Sequence, residues 1–227
     1  MVKNNRIRPG LLWVVGIAAV LAVAGTALWF LLGGAPEKPS QPGDEPASAA
    51  DLICLEFSSY SGQFVEDGTN EEVSGVAAIR VLNSSSQFLD RATVTYAGPD
   101  GTATFVIAGL PAGQQAWVLE KNRMLWPEDG ELVFLNCDAT FRADAVTAPT
   151  ELTVTPQGNK LRAVNNSDQT MENVCVYYKT AYAPGVYLGG IAYMVNFGTI
   201  EPGQTVEKTT GHWSEDSVIV RYSWQSE

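Results

Sequence analysis

The sequence predicts an all-β ectodomain, two tandem antiparallel β-sandwiches that follow one N-terminal transmembrane helix. Three observations lead there: an uncharged apolar run over residues 11–32, a composition suited to strands and turns, and an internal repeat through the remaining chain. Charged residues are 17% of the 227, against about 25% in an average soluble domain, while aromatic residues, valine, threonine, glycine and serine are plentiful. Such residues fill pleated surfaces and the turns between them.

Residues 1–10 form a short basic tail in which Lys3, Arg6 and Arg8 stand without any acid. Residues 11–32, LLWVVGIAAVLAVAGTALWFLL, are long enough as a helix to cross the roughly 30 Å hydrocarbon core, where only a structure that bonds its own amides is viable. Trp13 and Trp29 mark the two ends, as indoles favour the interface. The bases before the run and Glu37, Asp44 and Glu45 after it orient the N-terminus to the cytoplasm and the rest outward, a single-pass type II arrangement in the plasma (cell) membrane. The competing reading is a cleaved signal peptide, since Ala22-Val23-Ala24 fits an A-x-A site, but a cut there would leave an apolar stretch at the new N-terminus.

Residues 33–50 hold four prolines and no aromatic or branched aliphatic residue, so they form a semi-extended linker. Beyond it the chain repeats itself. Ile79-Arg80-Val81-Leu82-Asn83-Ser84-Ser85 matches Leu161-Arg162-Ala163-Val164-Asn165-Asn166-Ser167, 82 positions on, and Leu110-Pro111-Ala112-Gly113-Gln114 matches Ile200-Glu201-Pro202-Gly203-Gln204, 90 positions on. The second copy has therefore gained 8 residues between these blocks. Alternating runs separated by Gly98-Pro99-Asp100-Gly101, Pro127-Glu128-Asp129-Gly130 and Pro202-Gly203 predict one β-sandwich over residues 51–147 and a second over 148–227.

The order of strands and the turns Leu110-Pro111-Ala112-Gly113 and Ile200-Glu201-Pro202-Gly203 resemble bacterial extracellular immunoglobulin-like modules of the FxLYD and CARDB type. The resemblance implies an immunoglobulin-like sandwich for each copy, an adhesive or scaffolding role, and a bacterial cell surface as its setting. It assigns no catalytic residue.

Catalytic chemistry finds little support. His212 is the only histidine, which removes metal sites and acid–base schemes that need two, and no nucleophile elbow, zinc-protease motif or phosphate-cradling glycine loop occurs. No enzyme activity and no cofactor are expected. The chain beyond the basic tail carries 11 bases against 25 acids, a net of −14, which repels phosphate backbones and argues against nucleic acid as a partner.

The expected partners are the lipid bilayer, through residues 11–32, and a protein or glycan met by the β modules. The expected role is a membrane-anchored extracytoplasmic binding or scaffolding protein, the alternative being an accessory subunit of a multi-protein envelope assembly.

Four groups of residues invite a specific reading. The 8 added residues fall in the segment 180–190, whose Tyr182, Tyr187 and Leu188 make it a candidate partner contact, since tyrosine offers a large ring and a hydrogen-bonding end at low entropic cost. The alternative is that these rings fold back to cap the sandwich end or to cover the first module. Cys54 and Cys137, near the two ends of module one, are the candidate disulfide outside the cytoplasm, with Cys175 left over and free thiols as the alternative. Residues 66–72 hold four acids and read either as a calcium loop or as a solvated hairpin tip. Asn83 and Asn165 head N-x-S sequons, yet Asn and Ser also close strands into turns.

Overall fold

A computed structural model describes residues 47–69, 71–127 and 131–226. The transmembrane helix expected at 11–32, the basic tail and most of the linker lie outside the described residues, among which no helix is long and apolar enough to cross a membrane. What is described is nearly all strand, introduced by a 3₁₀ turn, Ala49–Asp51.

Twelve strands follow in two sets of six. The first repeat supplies β1 (Leu52–Phe64), β2 (Glu71–Asn83), β3 (Phe88–Gly98), β4 (Gly101–Leu110), β5 (Gln115–Leu119) and β6 (Val133–Arg142). The second supplies β7 (Leu152–Gln157), β8 (Lys160–Asn165), β9 (Met171–Ala183), β10 (Val186–Ile200), β11 (Thr205–Thr209) and β12 (Ser217–Ser226). In the first repeat β1-β2-β5 packs across from β4-β3-β6; in the second β7-β8-β11 packs across from β10-β9-β12. The two halves thus have one topology, as the repeat in the sequence requires.

Period-two alternation builds each core. Along β3, Ala92, Val94 and Tyr96 point inward to meet Phe105 and Ile107 of β4 and Ile79 and Val81 of β2. In the second repeat Val174, Val176 and Tyr178 of β9 meet Leu161 and Ala163 of β8.

The Asn-Ser motif has the same purpose in both copies. Asn83 and Asn165 are fully buried, and each donates its amide nitrogen to two carbonyls: Gln87 O at 2.8 Å and Leu110 O at 2.9 Å in one, Gln169 O at 2.8 Å and Ile200 O at 2.9 Å in the other. Ser85 and Ser167 each donate a hydroxyl to the asparagine oxygen at 2.7 Å. The backbone N–H of Gly113 and of Gly203 donates to the asparagine's own carbonyl, and both glycines sit at φ 71°, a left-handed conformation that favours glycine. The sequons are therefore buried strand-end plugs whose amide nitrogens are already committed.

Replacing Asn165 with alanine should cost about 2–3 kcal/mol, because it leaves buried carbonyls without donors. Neighbouring Asn166, which bonds only Thr153 through its side chain, should tolerate the same change within about 0.5 kcal/mol. Urea denaturation of the two variants makes the comparison, and equal losses would refute the plug role.

The sandwiches are not strung separately. The β1-β2-β5 sheet of repeat one and the β10-β9-β12 sheet of repeat two join into one six-stranded sheet, in which Gln115, Ala116 and Trp117 pair in parallel with Val186, Tyr187 and Leu188. Tyr187 and Val220 of the second repeat enter the core of the first.

Candidate functional site

The added segment of the second repeat creates this join. It lengthens β9 and β10 past their counterparts β3 and β4 so that residues 186–188 reach β5, with Gln115 N donating to Gly185 O at 3.0 Å. The loop expected to project toward a partner is instead spent mostly on the other repeat. Tyr187 is only 8% exposed, so its place in the partner contact is corrected: its ring fills the first core. Leu188 is half-buried against the first repeat's cluster of Phe64, Val65, Val76, Ala78 and Leu119, while Tyr182, 60% exposed, is the member of the trio that stays open to solvent.

Two buried charges fasten the same joint. Glu66, at the end of the β1 hairpin, accepts from Leu119 N at 2.8 Å and from Gly190 N at 2.8 and 3.0 Å, tying the first repeat's β5 to the second repeat's β10. Lys179 of β9 is fully buried and donates from Nζ to Ala108 O at 3.0 Å, Gly190 O at 3.1 Å and Ile191 O at 2.6 Å. Burial pushes the Glu66 carboxyl up, against the amide bonds and the lysine charge that hold it down. Burial likewise draws the Lys179 ammonium down, against the pull of Glu66.

A lysine within the apolar run of β9 was a visible signal of such a site. Its partner in the β1–β2 loop was not recognisable from spacing.

Two of the remaining acids of residues 66–72, Asp67 and Glu71, have local work. Asp67 accepts from the Thr69 backbone and hydroxyl and from Arg123, and these contacts hold its carboxyl down at about 2. Arg123 also pairs with Glu71 at 2.9 Å. The described part of the loop is thus an ion-paired clamp. His212 stacks on Tyr193 with ring centroids 4.6 Å apart, and Tyr193 stacks in turn on Tyr178, so the histidine extends a packed aromatic column.

The other feature of note lies at the far side of the first repeat. β1 and β6 are the outer strands of the facing sheets there, and between them opens a cavity of about 440 Å³ lined by Leu52, Cys54, Phe57, Tyr96, Phe134 and Cys137, among others. The lining is apolar apart from the tyrosine hydroxyl and the thiols.

The disulfide expected between Cys54 and Cys137 is not formed; both are free thiols. They stand on opposite sheets across this cavity, the Cys54 thiol is directed to the Glu56 carbonyl at 3.8 Å, and burial raises the pKa of both. Cys175 is buried within β9.

Ile53, Leu55 and Phe57 of β1 and Val133, Phe134 and Leu135 of β6 are between 37% and 58% exposed, and of these Phe57 and Phe134 line the cavity. Exposed aromatic rings that line an apolar cavity mark a contact surface, whereas scattered apolar side chains need no explanation.

Among known proteins, no family model and no curated sequence matches the chain.

Proposed function

We propose that this protein is a membrane-anchored, extracytoplasmic binding or scaffolding protein that acts through contact with another macromolecule and without catalysis. The observation that carries this reading is the outer side of the first repeat, where the exposed rings of Phe57 and Phe134 line an apolar cavity between two outer strands. The anchor is residues 11–32, with the N-terminus in the cytoplasm, and the reading draws its support from the length of that run and the charge asymmetry around it. An immunoglobulin-like character for each six-strand repeat belongs to the same proposal, in keeping with the shared antiparallel order of the two halves.

The test is purification of full-length protein from its native membrane in mild detergent, after protease has been applied to a parallel sample of intact cells. A stoichiometric partner that is lost in Phe134→Asp (58% exposed in the native chain), together with removal of the β region by protease, is the expected result. Protection of the β region in intact cells would overturn the topology. Recovery of the protein alone under every mild condition would overturn the binding role.

A further inference from the structure

The outer strands of the three sheets are not alike. β7 carries Pro156 and β11 carries Glu207 and Lys208, residues that discourage a further strand. β4 is covered: Lys179 donates to Ala108 O, and Gly190 lies so close that a Cβ there would fall 1.8 Å from Val106 O. β12 is partly closed by Val146, whose carbonyl accepts from Tyr222 N at 2.8 Å. β1 and β6 have no lysine and no proline, though β1 carries Glu56 and β6 carries Asp138 and Arg142; among the described residues no strand pairs with their outer edges, and the 3₁₀ turn Ala49–Asp51 lies beside β6 at the cavity. Both open edges flank the same apolar cavity.

Charge separates the candidate occupants. The cavity lining holds no carboxylate or ammonium, and the chain beyond the basic tail carries 11 bases against 25 acids, which favours a partner with basic flanks. A second copy would bring the same acids and a net of −14 against −14, which repels. A bilayer surface leaves strand edges without hydrogen-bond partners.

We propose that β6 accepts an added strand from a partner protein: an extended segment, apolar at alternate residues and bordered by lysine or arginine, whose apolar side chains enter the cavity toward β1. Backbone bonds to the outer edge would hold it, the cavity would select its apolar face, and the net acidity of the chain would favour its basic flanks. This rests on the binding role proposed above and specifies the partner's chemistry.

The test uses the full chain in zwitterionic nanodiscs and three synthetic peptides, followed by hydrogen exchange of residues 133–142. The first is Lys-Lys-Val-Thr-Val-Thr-Val-Lys-Lys, the second has glutamate for every lysine, and the third has proline for both threonines. The lysine peptide should slow exchange in β6 at least tenfold, the glutamate peptide should bind at least tenfold more weakly at low salt, and the proline peptide should give no protection. Leu135→Lys, at an exposed position, should remove the protection with unchanged melting, and Phe134→Asp, which also gives up the ring contact with Tyr96, should remove it as well.

Equal protection by the proline peptide would overturn strand addition. So would slow β6 exchange before any peptide is added, which would mean that lipid or a second copy already covers the edge. If a native partner is recovered but protects a different surface, this proposal fails while the binding role stands. If the peptide binds as expected and no native partner is ever recovered, the cleft assignment holds and the binding role fails.

Discussion

Lys179→Met is expected to lower the stability of the folded region by about 3–5 kcal/mol, because it strips three carbonyls of their donor and leaves the buried Glu66 charge uncompensated. The change removes three donated hydrogen bonds, to Ala108, Gly190 and Ile191, and leaves Glu66 buried without its nearest positive charge. For a folded region of this size that amounts to a fall of roughly 6–20 °C in Tm. Glu66→Gln keeps an acceptor but loses the charge, so it should cost less on its own. The double variant should cost clearly less than the two single changes together, because neither charge is then left alone. Urea denaturation of all four proteins gives the cycle. Strict additivity, or a Lys179→Met loss under 1 kcal/mol, would show that the pair does not fasten the joint.

Gly190→Ala is the second large effect, and its origin is purely steric. Gly190 has no left-handed φ to lose, yet an added Cβ would lie 1.8 Å from Val106 O and 2.9 Å from Val118 Cγ1. A backbone carbonyl held in β4 cannot swing aside, so β10 must move away from β4 and take with it the amide that Glu66 accepts. A loss of about 3 kcal/mol, at the upper end for overpacking, is expected.

Calorimetry should then resolve two transitions where one is expected for the native protein, because the repeats are joined through this contact. Gly113→Ala is the control. Its φ of 71° imposes strain but nothing lies within 4 Å, so it should cost about 1–2 kcal/mol and keep a single transition. Two transitions in the control, or one in Gly190→Ala, would contradict the assignment.

Much of the architecture was legible in the sequence because repetition and alternation are local patterns. The matching Asn-Ser blocks and Pro-x-Gly-Gln-like turns located the two copies, and the shift from 82 to 90 positions located the added segment. The destination of that segment was not legible. A stretch with Tyr182, Tyr187, glycines and a proline has the same composition whether it meets a foreign protein or a neighbouring sheet. Tyr187 went to the neighbouring core because β5 offered a free edge three residues long at that height. The cysteines show the same limit: position along the chain placed Cys54 and Cys137 on the same side of one sandwich, but not at bonding distance.

The sequence by itself determined the strand-rich composition, the repeat and its boundaries, the turns that close each unit, and the apolar run and charge asymmetry from which an anchor is inferred, all properties of residues close together in the chain. Only the tertiary structure decided that the two repeats share one six-stranded sheet, that Glu66 and Lys179 meet around Gly190 although 113 positions separate the two charges, and that β1 and β6 are left open around a cavity. The reason is physical. Strand pairing is carried by backbone groups that every residue has, so which edge meets which is settled by shape, by close approach at glycine and by the satisfaction of buried charge once the chain has folded.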